Sequence, residues 1–190
     1  MTSRTQIVCL CEGEQGSSID PVFINCLMRS LKPDWVRSWG GSNIVRIVPC
    51  GNRKGVMERT PEEIHLCRKA GGDTTLMVWA DCDDDCADGE ALKALFWQEA
   101  QRREVKQEDF DRVVFIFPKD RLENWIEYLR HEQTNESEEG PRVEHTREAA
   151  DAAKKLAKHC REGKPIDGLP PSLKWSCENW RSLSARMKSS

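Results

Sequence analysis

Four short apolar runs, each followed by a helical pattern, constrain this chain more than any other feature. "QIVCLCE" (6–12), "NIVRIVP" (43–49), "TTLMVWA" (74–80) and "RVVFIFP" (112–118) are almost continuously apolar, as strands buried on both faces must be. Between them lie segments of helical period. "DPVFINCLMRSLK" (20–32) opens with Asp20 as N-cap and Pro21 in the first turn, and Phe23, Ile24, Leu27, Met28 and Leu31 share one face. "CGNRKG" (50–55) reads as a turn. "TPEEIHLCRKAGG" (60–72) follows with Thr60 and Glu63 as a capping box and Gly71-Gly72 as its stop. "DGEALKALFWQEAQRREV" (88–105) and "DRLENWIEYLRHE" (120–132) complete the alternation. Strands alternating with helices mean a parallel sheet with right-handed crossovers. The sequence therefore predicts an α/β fold, a compact Rossmann-like sheet of about four parallel strands with helices on both faces.

This domain is expected over residues 1–131. "EQTNESEEGPR" then supplies an acidic, flexible connection at 132–142. Residues 143–190 read as a basic helical C-terminal extension packing on the domain. It comprises a strong helix former that stops at Gly163, a Pro-rich turn, and a short helix carrying Leu173, Trp175, Trp180 and Leu183. A disordered Ser-rich end is expected to follow. Charge divides at the same place: 18 basic against 26 acidic side chains in 1–140, and 11 against 6 in 141–190. A basic tail beside an acidic body fits an anionic partner such as nucleic acid, or simply a solvated helix face. No stretch approaches the roughly 20 apolar residues of a membrane span, and "MTSRTQIVCLCEGE" reads as neither signal peptide nor anchor. Nine irregularly spaced cysteines fit a reduced, cytoplasmic protein better than a disulfide framework. With no Cys-x-x-Cys pair and four scattered histidines, a structural zinc site lacks support.

In an open parallel sheet, ligands gather beyond the carboxyl ends of the strands. Three of the four runs place acids there. The first ends in Glu12, with Glu14 beyond it. The third ends in "DCDDD", whose Asp81, Asp83 and Asp85 fall on one side of an extended segment. The fourth leads through Pro118 and Lys119 to Asp120 and Glu123. Carboxylates crowded this closely need a cation, open water or a shared proton, and hard oxygen ligands suit Mg²⁺ or Mn²⁺. An EF-hand is excluded, because Cys86 and Leu92 stand where its loop needs Gly and Glu. A phosphatase forming an aspartyl-phosphate would want its nucleophile on the first strand, which ends in Glu12. A solvated acidic turn, capping the next helix through Asp88, stays open as an alternative. Arg53 and Lys54, after the second strand, either meet phosphate charge together with Lys119 or form an ordinary solvated turn.

"VCLCEGE", a helix bearing Asp20, a Gly-containing second loop and "MVWADCDDD" follow in an order that resembles the Toprim domain. That nucleotidyl-transfer module is shared by topoisomerases, primases, ribosomal-RNA maturases and overcoming-lysogenisation-defect (OLD) nucleases. The resemblance covers roughly residues 5–130, with Glu12-Gly13 and Asp81-Cys82-Asp83 matching its two motifs. "FIFPKDRLENWIEYL" is similar to the Glu-bearing helix of OLD-like members. Gly16-Ser17-Ser18 before Asp20 and the extra aspartates at 84 and 85 depart from the pattern. The resemblance implies a metal-dependent nuclease holding Mg²⁺ or Mn²⁺ through Glu12, Asp81 and Asp83, with Asp85 and Glu123 as further metal acids. A topoisomerase would need a nucleophilic tyrosine on a separate domain, and the single tyrosine, Tyr128, lies inside the expected fourth helix. The OLD-like similarity further implies a role in antiviral defence. No Gly-x-x-x-x-Gly-Lys-Ser/Thr loop occurs, so any ATPase would be a separately encoded partner. The competing reading is a non-catalytic Toprim-like module that binds nucleic acid or that ATPase.

Overall fold

The computed structural model describes residues 6–14, 18–31, 45–71, 74–161 and 168–188. They form β1 (Gln6–Cys11), α1 (Ile19–Leu31), β2 (Val45–Pro49), α2 (Arg53–Ala70), β3 (Thr74–Trp79), α3 (Gly89–Arg102), α4 (Gln107–Phe110), β4 (Val114–Ile116), α5 (Leu122–His131), α6 (Thr146–Arg161) and α7 (Pro171–Lys188). The strands make one all-parallel sheet in the order β2-β1-β3-β4. The expected α/β architecture is thus observed. Residues 43–44 of the expected second strand, Gly16 and Ser17, the stop at Gly163 and the last two serines lie outside the described residues.

Alternation along each strand divides the core in two. Ile7, Cys9 and Cys11, Met77 and Trp79, and Val114 and Ile116 face α1, α5, α6 and α7. Val8 and Leu10, Leu76 and Val78, and Phe115 face α2, α3 and α4. On the first face Trp79 packs edge-on between Phe23 and Trp125, with ring centroids 6.1 and 6.0 Å away. From β1 the chain crosses the first face through α1 to β2; from β3 it crosses the opposite face through α3 to β4. Neighbouring strands therefore send the chain in opposite directions, and their carboxyl ends bound a crevice.

The C-terminal helices complete this core. Ala149, Ala152, Ala153, Leu156 and Ala157 form one face of α6 that packs on α1 and α5, small side chains letting the backbones approach. The opposite face leaves Lys154, Lys155 and Lys158 exposed. The stretch 132–142 has no regular structure but is laid against the body: Glu136 accepts from the Ser172 amide at 3.2 Å, and Asn124 donates to the Glu138 carbonyl at 3.2 Å. Among the described residues no helix is long and apolar enough to cross a membrane. None of the nine cysteines is paired.

Two local expectations fail. Asp20 is not the N-cap of α1, which begins at Ile19 and carries Asp20 in its first turn. The helix expected at Thr60 begins seven residues earlier, at Arg53, where Asn52 caps it by accepting the Gly55 amide at 2.9 Å. Thr60 is buried inside the helix and donates to the Val56 carbonyl at 2.8 Å. Glu63 is no capping residue either: it is buried, with Arg46 of β2 at 2.8 Å and Arg59 at 3.2 Å. Pro61 sits within the helix, where it forfeits one backbone bond. "TPEE" carries the residues of a helix start, but burial of Val56, Thr60 and Ile64 against the sheet outweighs that local preference.

β4 is an edge strand, and α7 occupies its open side. Phe117 N–H donates to Ser176 Oγ at 3.1 Å, and Asn179 Nδ2 donates to the Phe115 carbonyl at 3.0 Å. Side chains of a helix thus satisfy backbone groups that a fifth strand would otherwise pair. Ser176→Ala leaves the buried Phe117 amide without its partner and is expected to lower unfolding free energy by about 1–3 kcal/mol. Urea unfolding of the two proteins checks this; a loss under a few tenths would mean that the edge is closed by other contacts.

Candidate functional site

Glu12, Asp81 and Asp83 come to the crevice from the ends of β1 and β3. Asp20 and Glu123 come to it from the first turns of α1 and α5. A βα connection necessarily puts the first turn of its helix beside a strand's carboxyl end, so the fold delivers these acids together. Glu12 Oε1 accepts the Asp81 amide at 2.8 Å, joining the two strand ends. Around it, Gly13 and Gly51 exchange paired backbone bonds of 3.0 Å. Gly13 has a positive φ of 84°, and a Cβ there would lie 2.1 Å from Ser18 Oγ; the glycine of "EGE" is a geometric requirement.

Electrostatics mark the acids as one group. Burial raises Asp81 well above the ordinary carboxylate range, and the charges of Glu12, Asp20, Glu123 and Asp83 raise it further. Burial also raises Glu12; the Asp81 amide lowers it, Asp83 and Asp20 add to the rise, and Arg53 opposes it. Asp20 is pushed up to about 6, first by burial and also by Glu123, against the hydrogen bond from Ser18 Oγ at 3.2 Å. Asp83 is raised by burial and lowered by Arg53. Asp20 served in the sequence only as a helix cap and part of a motif. Its place in the acid group was signalled by its position at a helix start, since the first turn of such a helix lies beside the strand ends.

The other expected site residues go elsewhere. Asp85 is exposed and takes both Arg53 Nη atoms, at 2.8 and 2.5 Å, which holds its carboxyl below the ordinary range. Arg53 Nη1 also stands 3.3 Å from Asp83. Lys54 is exposed, with Glu58 at 3.7 Å. Lys119 donates to the carbonyls of Asp83 and Cys86, at 3.2 and 2.9 Å, and so ties down the aspartate loop. Asp84 is exposed, and Asp88 caps α3 by accepting the Ala91 amide at 2.9 Å. A cavity of about 60 Å³ lined by Arg68, Asp109 and Arg112 lies at the opposite, amino-terminal edge of the sheet, away from the acids.

Among the described residues, no three His, Cys, Asp or Glu side chains stand close enough to hold one metal ion. The donor chemistry nonetheless suits a hard divalent cation: every member is a carboxylate, and their charges repel. Some oxygens that a cation would gather are taken up, Glu12 Oε1 by an amide and Asp83 in part by Arg53. Searches against protein families, curated proteins and solved structures find no match to this chain.

A carboxyl with a raised folded pKa holds its proton more tightly when folded. Its contribution to stability is therefore lost as pH rises from the unfolded value through the folded one. For Asp20 that window runs from 3.8 to about 6. Asp20→Asn removes the penalty: above the window the variant is expected to be the more stable, by up to about 3 kcal/mol. Below 3.8 the two proteins should converge. Unfolding midpoints measured across this range without divalent cations test the assignment, and a pH-independent difference would refute it.

Proposed function

We propose that this chain is a metal-dependent phosphodiesterase of Toprim type, cleaving nucleic acid with Mg²⁺ or Mn²⁺. The observation that carries the reading is the meeting of Glu12, Asp20, Asp81, Asp83 and Glu123 at the crevice between β1 and β3, where burial and mutual repulsion raise Asp81. A carboxylate as desolvated as Asp81, with other acids around it, is unfavourable without a countercharge. Asp81 and Asp83 would hold the ion, with Glu12, Asp20 and Glu123 contributing charge from behind and beside them. When bound, the ion supplies Lewis-acid polarisation of a phosphoryl oxygen and neutralises charge on the leaving oxygen.

The chain's own residues supply the rest. Glu12 keeps Oε2 for a ligand or proton-accepting role while Oε1 holds the Asp81 amide. Its raised proton affinity suits a general base. Arg53 and Lys54, at the amino-terminal turn of α2, meet phosphate charge from the rim. Lys119 acts through the backbone of the aspartate loop.

A second reading is a non-catalytic module that binds nucleic acid, or a partner ATPase, through this face. It draws on the spacing of the acids, which among the described residues is too wide to share one ion. Cleavage of a panel of DNA and RNA substrates by purified protein separates the two. Under the nuclease reading, Asp81→Asn, Asp83→Asn and Glu12→Gln each lower Mn²⁺-dependent cleavage by at least about two orders of magnitude. Asp84→Asn stays within about twofold of the wild type, in the range of a neutral surface change. Mn²⁺ raises the melting midpoint of the wild type, because an ion that binds only the native state stabilises it, and raises that of Asp81→Asn far less. Equal small effects at every aspartate, with no stabilisation by either ion, would leave the binding module.

A further inference from the structure

We propose that Arg53 is an internal countercharge that competes with a divalent cation for Asp83, and that Asp85 anchors this arginine and is not a metal ligand. The proposal rests on the metal-site reading above. Arg53 is the first residue of α2, and the Asn52 cap fixes where that helix begins. From there its guanidinium meets Asp85 with both Nη atoms, at 2.8 and 2.5 Å, and stands 3.3 Å from Asp83. Two parallel bonds from a planar fork to one carboxylate are the strongest exposed pairing available to an arginine.

The neighbouring cations are committed to other partners. Lys119 spends its ammonium on two carbonyls, and Lys54 lies toward Glu58. Neutralisation of Asp83 therefore falls chiefly to Arg53, with a smaller share from Lys119, against the partial burial that raises this carboxyl. A cation arriving at Asp83 meets the guanidinium's positive charge, and one carboxylate shared between two cations serves each less well. Asp85 gives the arginine a place to stay when Asp83 turns to the ion. The guanidinium is then kept at the rim of the crevice. As a metal ligand, Asp85 would instead have to abandon Arg53 first.

Calorimetric titration of the full chain with Mn²⁺, paired with the melting midpoint at fixed Mn²⁺, tests this in five variants beside the wild type. Arg53→Gln is expected to tighten Mn²⁺ binding about fivefold, the weight of a good exposed ion pair. Lys54→Gln, which removes a nearby charge without touching Asp83, should change it by less than about twofold. Asp85→Asn should weaken Mn²⁺ binding while Arg53 is present, because the arginine then grips Asp83 alone. It should have no effect in the Arg53→Gln background. Asp81→Asn marks loss of the site. Mn²⁺ binding that is no tighter in Arg53→Gln than in Lys54→Gln overturns the proposal. So does a loss from Asp85→Asn that persists without Arg53. If the wild type binds Mn²⁺ and Asp81→Asn does not, the metal site stands whichever way Arg53 falls. If none of the proteins binds Mn²⁺, both readings fall together.

Discussion

The hydrogen bond from the Asp81 amide to Glu12 closes the gap between β1 and β3, neighbouring strands from which the chain departs in opposite directions. In the order β2-β1-β3-β4, β1 hands on to α1 on one face and β3 to α3 on the other. Among the described residues, side chains line the gap between their carboxyl ends. Glu12 spans that gap at 2.8 Å. The paired bonds between Gly13 and Gly51 extend the junction to the end of β2, and the Cys82–Lys119 bridge extends it to β4. Four strand ends are thereby tied into one rim. The acids on it are held by these backbone bonds, and burial first, then mutual repulsion, raises their proton affinity.

Helix α7 holds this rim from behind. Ser176 and Asn179 close the β4 edge. Next to Ser176, Trp175 stacks on Phe117 with centroids 5.4 Å apart, and its Nε1 donates to Glu90 at 2.8 Å. Trp175 also lies against Gly89, where a Cβ would fall 2.8 Å from the indole. Gly89 opens α3 directly after the Asp88 cap. The aspartate loop is thus fastened at its start by Cys82, in its middle by Lys119 and Arg53, and at its end by an indole from the last helix. The C-terminal helices, read from sequence as an extension, share the core of the β1 and β3 strands.

Most of the fold was legible because its signals are local and agree with one another. Period and burial coincide at α1, α3 and α5, and at α3 the Asp88 cap agrees with them, so their positions follow closely from the chain alone. They conflict at α2. There "TPEE" imitates a helix start, while the real cap is Asn52 and the buried Glu63 serves Arg46 of a strand far back in sequence. The same limit applies at the site. Strand ends can be read from apolar runs, so Glu12, Asp81 and Asp83 can be found. Partners across the crevice cannot: that Asp85 turns to Arg53, that Lys119 seeks carbonyls, and that Asp20 joins the acids all depend on which strand lies beside which. The order 2-1-3-4 is not written in any one segment.

The run "DCDDD" divides its labour between an inner carboxylate, Asp81, and three exposed ones, Asp83, Asp84 and Asp85, whose charges are met in different ways. Asp84 is exposed to solvent. Asp85, also at the surface, is met by a guanidinium with good bidentate geometry. Asp83 is half committed, with Arg53 at 3.3 Å. Asp81 is the deepest; it has four carboxylates for neighbours and is raised furthest toward its protonated form. A gradient of this kind, from solvated through ion-paired to uncompensated within five residues, has its unmet charge at the inner end, beside Glu12 and between the two strands. A solvated turn would show no such gradient, since every carboxylate in it could reach water at little cost. The proton at low pH, the arginine from the rim and a divalent ion from solution are three ways of answering the same electrostatic demand. In the metal-site reading proposed above, a divalent ion would bring two positive charges to the pair and so favour ionisation of Asp81 and Asp83 together.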